Sequence, residues 1–219
     1  MSDRDMGRRM FLMQTTGVVA GLAAVRAFAA DAQASEAAAE EGWTPLFNGK
    51  DLSGWKAEGK AVWKVEEKCL VGTQGPGAAP GDLFTVKEFD DFELRVTMRV
   101  HWPANSGVWF RYQAPDKAYQ ADILDYKEPE AYSGTLYCPG RMFLAINKDA
   151  SLFKRDGWNT FLIHAKGDHL VITLNKVVTA DLHDGAVARG RIGFQIHPGD
   201  QFKDMKVTVR EILLRNLAS

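Results

Sequence analysis

Residues 92–102, FELRVTMRVHW, decide the fold. Phe92, Leu94, Val96, Met98 and Val100 alternate with Glu93, Arg95, Thr97 and Arg99. A strand turns successive side chains to opposite faces, so this stretch buries one face and wets the other. It holds neither Pro nor Gly, and the turn PANSG (103–107) closes it. The pattern is that of a half-buried strand. Working outward, AVWKVEEKCLVG (61–72) alternates and ends at Gly72, and LFTVKEF (83–89) leads into residue 92. GVWFRYQ (107–113), AYQADILDY (118–126) and TLYC (135–138) read as further strands. WNTFLIHAKGDHLVITLNKVVTADLHD (158–184) is a meander with turns at Gly167-Asp168 and Asn175-Lys176, and GRIGFQIH and MKVTVREILLRNL finish the chain. TQGPGAAPGD (73–82) and 127–134 read as loops, and 139–157 as irregular. No mature segment carries a helical period. Ten to twelve short strands with turn signals predict an all-β, concanavalin A-like sandwich or jelly roll.

The chain has 219 residues, enough for one good core. A net charge of −1 gives no global field to draw it to nucleic acid or to an anionic membrane. Six Trp, five Tyr and twelve Phe suit both an all-β core and a sugar-binding face. Cys69 and Cys138 cannot form a disulfide framework; one bridge or two free thiols are both open.

Residues 1–34 read as an address. Arg8 and Arg9 precede Phe11 and Leu12, then a Gly/Ala-rich apolar run, then AFA and AQA, which suit signal peptidase. The run is too short to span a bilayer stably. The pattern is a twin-arginine-type signal peptide, with an ordinary secretory signal as the alternative. Both export the protein, to a periplasm or the medium, with no membrane anchor in the mature form. Residues 35–42 read as a polar linker and 43–219 as a single sandwich domain.

Alternation also predicts the functional face. Trp109 and Arg111 share one side of their strand, Gln120 and Asp122 one side of theirs, and Gln195 and His197 one side of a third. The opposite sides carry Val108, Phe110, Tyr119, Ala121, Ile123, Phe194 and Ile196, which suit the core. Half-buried polar groups are costly unless something uses them. Indole, guanidinium, amides, carboxylate and imidazole on three neighbouring strands make a set for gripping a sugar. Arg111 and Asp122 could instead form a structural ion pair, and His197 could simply be solvated at a strand end. Tyr132 and Tyr137 lie in or near the adjoining loop. QADILD (120–125) has the shape of the E-x-D-x-x-E stretch of laminarinase-like glycosidases, but Gln120 cannot be a nucleophile. Asp125 reaches the same face only through a bulge, so a two-carboxylate mechanism is disfavoured. No strong metal motif is present, although Asp122 and His197 could share an ion.

The segments WTPLFNGKDLSGW, LFTVKEFDDFELRVTMRV, NSGVWFR, YQADILD, SGTLY, WNTFLIHAKGDHLVITLN and GRIGFQIH, in this order, resemble the family long called domain of unknown function 1080. The resemblance spans about residues 43–217. It implies a concanavalin-like sandwich and 3-keto-glycoside 1,2-lyase or 3-keto-2-hydroxyglucal hydratase activity, with a divalent metal ion in some members. The chain departs from the family where Gln120 and Asp122 stand in place of Glu and Gln, and at Ile196. In such chemistry a C3 ketone acidifies the C2 proton, and the enolate expels the C1 oxygen. A base, a partner for the enolate oxygen and an acid are needed. On this reading His197, with a reference pKa near 6.5, is the base, and Arg111 or a divalent ion meets the enolate. Asp122, if protonated, or Tyr137 is the acid, and Trp109, Gln120 and Gln195 hold a small-molecule sugar. A non-catalytic carbohydrate-binding module is the alternative, and a purely structural domain a third.

Overall fold

The computed structural model describes residues 42–218. The expected signal peptide and all of the expected linker but Gly42 lie outside the described residues. The strands, in chain order, begin with β1 (Thr44–Pro45), β2 (Trp55–Gly59), β3 (Val62–Glu66), β4 (Cys69–Thr73) and β5 (Gly81–Thr85). Next come β6 (Phe92–His101), β7 (Ser106–Ala114), β8 (Lys117–Ile123), β9 (Asp125–Lys127), β10 (Glu130–Cys138) and β11 (Met142–Asn147). The last are β12 (Asn159–Lys166), β13 (His169–Leu174), β14 (Val177–His183), β15 (Arg191–Ile196) and β16 (Lys206–Asn216). Among the described residues there is no α-helix, only two short 3₁₀ turns.

The strands form two antiparallel sheets of eight. The first runs β14-β13-β12-β6-β16-β4-β3, with β1 on β16; the second runs β11-β10-β8-β7-β15-β5-β2, with β9 on β10. Strand β6 sits in the middle of the first sheet, where Val96 pairs with Phe161 on one side and Ile212 on the other. Phe92, Leu94, Val96 and Met98 are fully buried, as the alternation demands. They meet an inner layer from the second sheet that includes Leu83, Phe110, Tyr119, Ala121, Ile123 and Phe194. Each such side chain stabilises the fold by about 1.5–3 kcal/mol relative to exposure.

Sixteen strands among the described residues replace the ten to twelve expected. The expected loop at 127–134 contains the last residue of β9 and the first five of β10, where Ser133–Leu136 are buried in unbroken succession and give no period of two. The expected irregular stretch at 139–157 contains β11, an edge strand with Met142 and Ile146 exposed and only its last residue buried. Cys69 and Cys138 are both free thiols, on β4 and β10 in different sheets.

Candidate functional site

The core uses one face of the second sheet. Its outer face carries the polar groups, and register sets them in two rows. In the first, Glu58 of β2 faces Asp82 of β5, which faces Gln195 of β15. The β15–β7 register continues this row to Gly107, which faces Asp122 of β8. In the second, Phe84 faces Gly193, then Trp109, Gln120, Tyr137 and Phe143.

The two glycines shape this surface. A Cβ on Gly107 would sit 2.5 Å from Gln120 Cδ, and one on Gly193 would sit 2.3 Å from Phe84 Cδ1. Side chains from neighbouring strands therefore lie flat across both positions. Gln120 reaches over Gly107, and its Nε2 donates to Gln195 Oε1 at 3.2 Å. Trp109 Nε1 donates to Asp82 Oδ1 at 3.4 Å. Aromatic rings close the gaps: Trp109 lies 5.7 Å from Tyr112 and 6.3 Å from Tyr137, and Phe84 lies 4.1 Å from Tyr112. Arg191 stacks on Phe84 and Tyr112 and pairs with both oxygens of Glu58. As a result Gln120, Asp122 and Trp109 are only 2%, 5% and 6% exposed although they sit on an outer face.

That burial sets the charges. Asp122 is pushed well above its ordinary 3.8 by burial, opposed only by a backbone hydrogen bond at Ile123. Its Oδ1 has no hydrogen-bond partner. Burial thus favours the protonated acid, and one of its oxygens is unused. Asp82 is pushed up to about 6, first by burial, with the Trp109 hydrogen bond resisting and the Glu58 charge assisting. Burial, first of all, holds the Tyr137 phenol above its usual value, so it is a neutral donor.

The structure brings Trp109, Gln120, Gln195, Asp122 and Tyr137 onto this face, and it corrects Arg111. Strand β7 carries a register shift after Phe110, and Arg111 adopts a positive φ of 50°. Such a bulge inserts one residue and breaks strict alternation. Tyr112 takes the outward place beside Trp109, and Arg111 turns inward, fully buried. Its guanidinium donates to the carbonyls of Asp90 at 2.9 Å and Gly167 at 2.7 Å, and to Asp91 Oδ1 at 3.1 Å. It pairs with Asp91, not with Asp122. Arg111 joins the two sheets and is absent from the candidate site. His197 lies just past the end of β15. Its ring packs on Phe202, and its Nδ1 donates to Pro198 O at 2.8 Å, which leaves Nε2 as the ring's acceptor. Tyr132 bonds Glu130 and Lys127 away from the two rows. Asp125 pairs with Lys127 and Arg155.

Asp82, Tyr112 and the Glu58–Arg191 pair escaped the sequence reading. Asp82 ends the Gly/Pro run that reads as a loop, yet GDLFT already places Asp82 and Phe84 on one side and Leu83 on the other. Nothing in the sequence marks the Arg111 bulge. No group of three or more His, Cys, Asp or Glu side chains fit to hold a metal ion exists among the described residues. Hard divalent cations ask for several converging oxygens. Asp82 and Asp122 stand three strands apart in the row, so this donor set does not fit one.

An all-β sandwich with a pair of raised carboxyls, bridging amides and aromatics on one outer face defines a concanavalin-like or galectin-like protein with a built polar site. Comparison with known proteins makes this particular. The chain belongs to the 3-keto-alpha-glucoside-1,2-lyase-like domain family, whose pattern matches residues 42–214. A 3-keto-disaccharide hydrolase of Bacteroides thetaiotaomicron is 32% identical over 82 residues, 33% of this chain and 28% of that protein. The chain thus aligns with little more than a quarter of that relative's length. A protein of Parabacteroides distasonis, proposed to be a glycosyl hydrolase, superposes with a TM-score of 0.63 at 21% identity, covering 84% of this chain and 97% of the other. A Bacillus subtilis protein of unknown function with a galectin-like fold also gives 0.63, at 15% identity, covering 80% and 94%. Both structures establish the fold. No helix among the described residues is long and apolar enough to cross a membrane.

Proposed function

We infer that this protein acts on glycosides oxidised at C3, as a 1,2-lyase and hydratase. The observation that carries this is Asp122, buried on the outer face with an unpaired oxygen and a carboxyl that burial pushes well above its ordinary value. Neutral Asp122 donates a hydrogen bond to the C3 ketone oxygen, where negative charge develops as the C2 proton leaves. A carboxylic acid kept neutral by its surroundings suits that task. The imidazole of His197 takes the C2 proton; Asp82, three strands from Asp122, is too distant to serve the neighbouring carbon. The enolate collapses to restore the C3 carbonyl, a new C1–C2 double bond forms as the C1–oxygen bond breaks, and the departing oxygen recovers the proton from His197. Addition of water across that double bond, with the same groups, gives the free 3-keto sugar. Gln120 and Gln195 present amides to the hydroxyls, and Tyr137 adds a neutral donor beside Asp122. His197 lies just past the end of β15, with Nδ1 held by Pro198 O and Nε2 left to accept the proton. The family membership and the hydrolase relative support the reading. A pure sugar-binding platform needs an open aromatic face, whereas Trp109 is buried between Tyr112 and Tyr137.

The test is release of p-nitrophenol from p-nitrophenyl glucoside and from its 3-keto derivative. Release from the keto sugar alone is expected, and release from neither, or equally from both, overturns the assignment.

A further inference from the structure

The outer face of the first sheet carries two clusters in which one indole meets two guanidiniums. At Trp43, Arg95 and Arg215 lie 5.2 and 4.9 Å from the ring centroid. At Trp158, Arg99 and Arg210 lie 4.8 and 4.6 Å away. The clusters differ in charge. Arg95 pairs with Glu211 at 3.3 Å, and Arg215 Nε bonds Glu93 at 3.0 Å. Neither Arg99 nor Arg210 forms an ion pair with any described residue, and both are exposed. Like charges held together cost energy that the ring offsets only in part, by about 0.5–1 kcal/mol per exposed contact.

The second cluster is built rather than accidental. A register shift between Val209 and Glu211 makes Arg210 an extra residue of β16 and sets it beside Arg99, whose neighbour is Thr208. Trp158 is held by the turn before β12. The fully buried Asn159 there donates to Lys154 O at 2.9 Å and Gly157 O at 3.1 Å, and accepts from Lys154 N at 2.8 Å. Two open cavities, of about 520 and 250 Å³, adjoin and share Arg99, Lys206 and Thr208 as walls. Trp158 and Val71 line the larger one. Of the carboxylates around them, Glu66 is engaged by Lys64 at 2.6 Å and Lys206 at 3.5 Å. Glu67 and Asp156 come within ion-pair distance of no cation among the described residues.

We propose that this cavity is a second binding site, for an acidic sugar unit such as a uronate within a glycan chain. Guanidiniums match a carboxylate with paired N–H donors, and an oxyanion at Arg99, a wall of the cavity, offsets its repulsion from Arg210 on the same indole. The cavity's volume is that of a small-molecule site and exceeds the needs of a bare ion. The half-buried indole and Val71 offer an apolar wall to sugar C–H groups, and Thr208 a hydroxyl. An acidic peptide is a poorer fit. Peptides that bind sheets pair with an edge strand, whereas β6, β16 and β4 are all interior to this sheet. The site lies on the opposite sheet from the two carboxyls and is independent of their chemistry.

Titration calorimetry tests this with four probes: trigalacturonate, maltotriose, triglutamate and inorganic sulfate, at an ionic strength near 0.15 M, where the screening length is about 8 Å. Trigalacturonate is expected to bind best. The double variant Arg99→Gln, Arg210→Gln is expected to lose at least about tenfold in that affinity, a difference of about 1.4 kcal/mol, with an unchanged melting temperature. The single variant Trp158→Leu is expected to weaken it as well. Absence of binding, or retention of full affinity in the double variant, overturns the proposal. Equal binding of triglutamate or of sulfate replaces it with a peptide site or a plain anion site.

Discussion

Asp122→Asn is expected to lower turnover of 3-keto-glycosides by about 10²–10³-fold while making the protein more stable above neutral pH. Asparagine keeps the shape, but its amide cannot match the acid's hydrogen bond to a developing enolate. The stability gain follows from burial. The folded state holds the Asp122 proton to a pH well above the ordinary 3.8 at which the unfolded chain releases it. Between those two values the native state binds more protons than the unfolded state, so stability falls as pH rises. Asparagine does not titrate, and the penalty vanishes. Thermal melts at pH 5 and pH 8 check this. The variant's advantage should widen at the higher pH, and a variant less stable than wild type at pH 8, or one with full turnover, contradicts the assignment.

Arg111→Met is expected to cost about 3–5 kcal/mol of stability with little change in turnover per folded molecule. Methionine fills much of the space but makes none of the hydrogen bonds. It strands the Asp91 carboxylate and the carbonyls of Asp90, Gly167 and Val187 at the junction of the sheets. Groups left unpaired there carry their full desolvation penalty. Urea unfolding measures the loss. If the variant kept its stability and lost activity, Arg111 would belong to the site after all.

These two residues also show what the sequence could and could not convey. The fold was legible because the inner faces obey a period of two: Phe92 to Val100, Tyr119 to Ile123 and Phe194 to Ile196 all point inward as read. Gln120, Asp122, Gln195 and Trp109 were legible for the same reason, being the partners that must point out. Arg111 was not, because a single extra residue in β7 reverses every assignment beyond it, and no Gly or Pro announces the shift. Tyr112 was lost with it. Asp82 was hidden by the Gly/Pro run before it, which suggested a loop although β5 begins at Gly81. The raised carboxyls were beyond reach in principle. Their states depend on burial by Trp109, Tyr112, Tyr137 and Arg191, which come together only in the folded sheet.

Gln120 lies across Gly107, and Phe84 lies across Gly193. The working surface is consequently woven: threads from one strand rest in gaps left by the next. A lineage that altered one thread would have to alter the gap beneath it, so such a surface changes by paired steps or hardly at all. New substrate preferences would then be expected to arise in the loops around this fabric, leaving its weave intact.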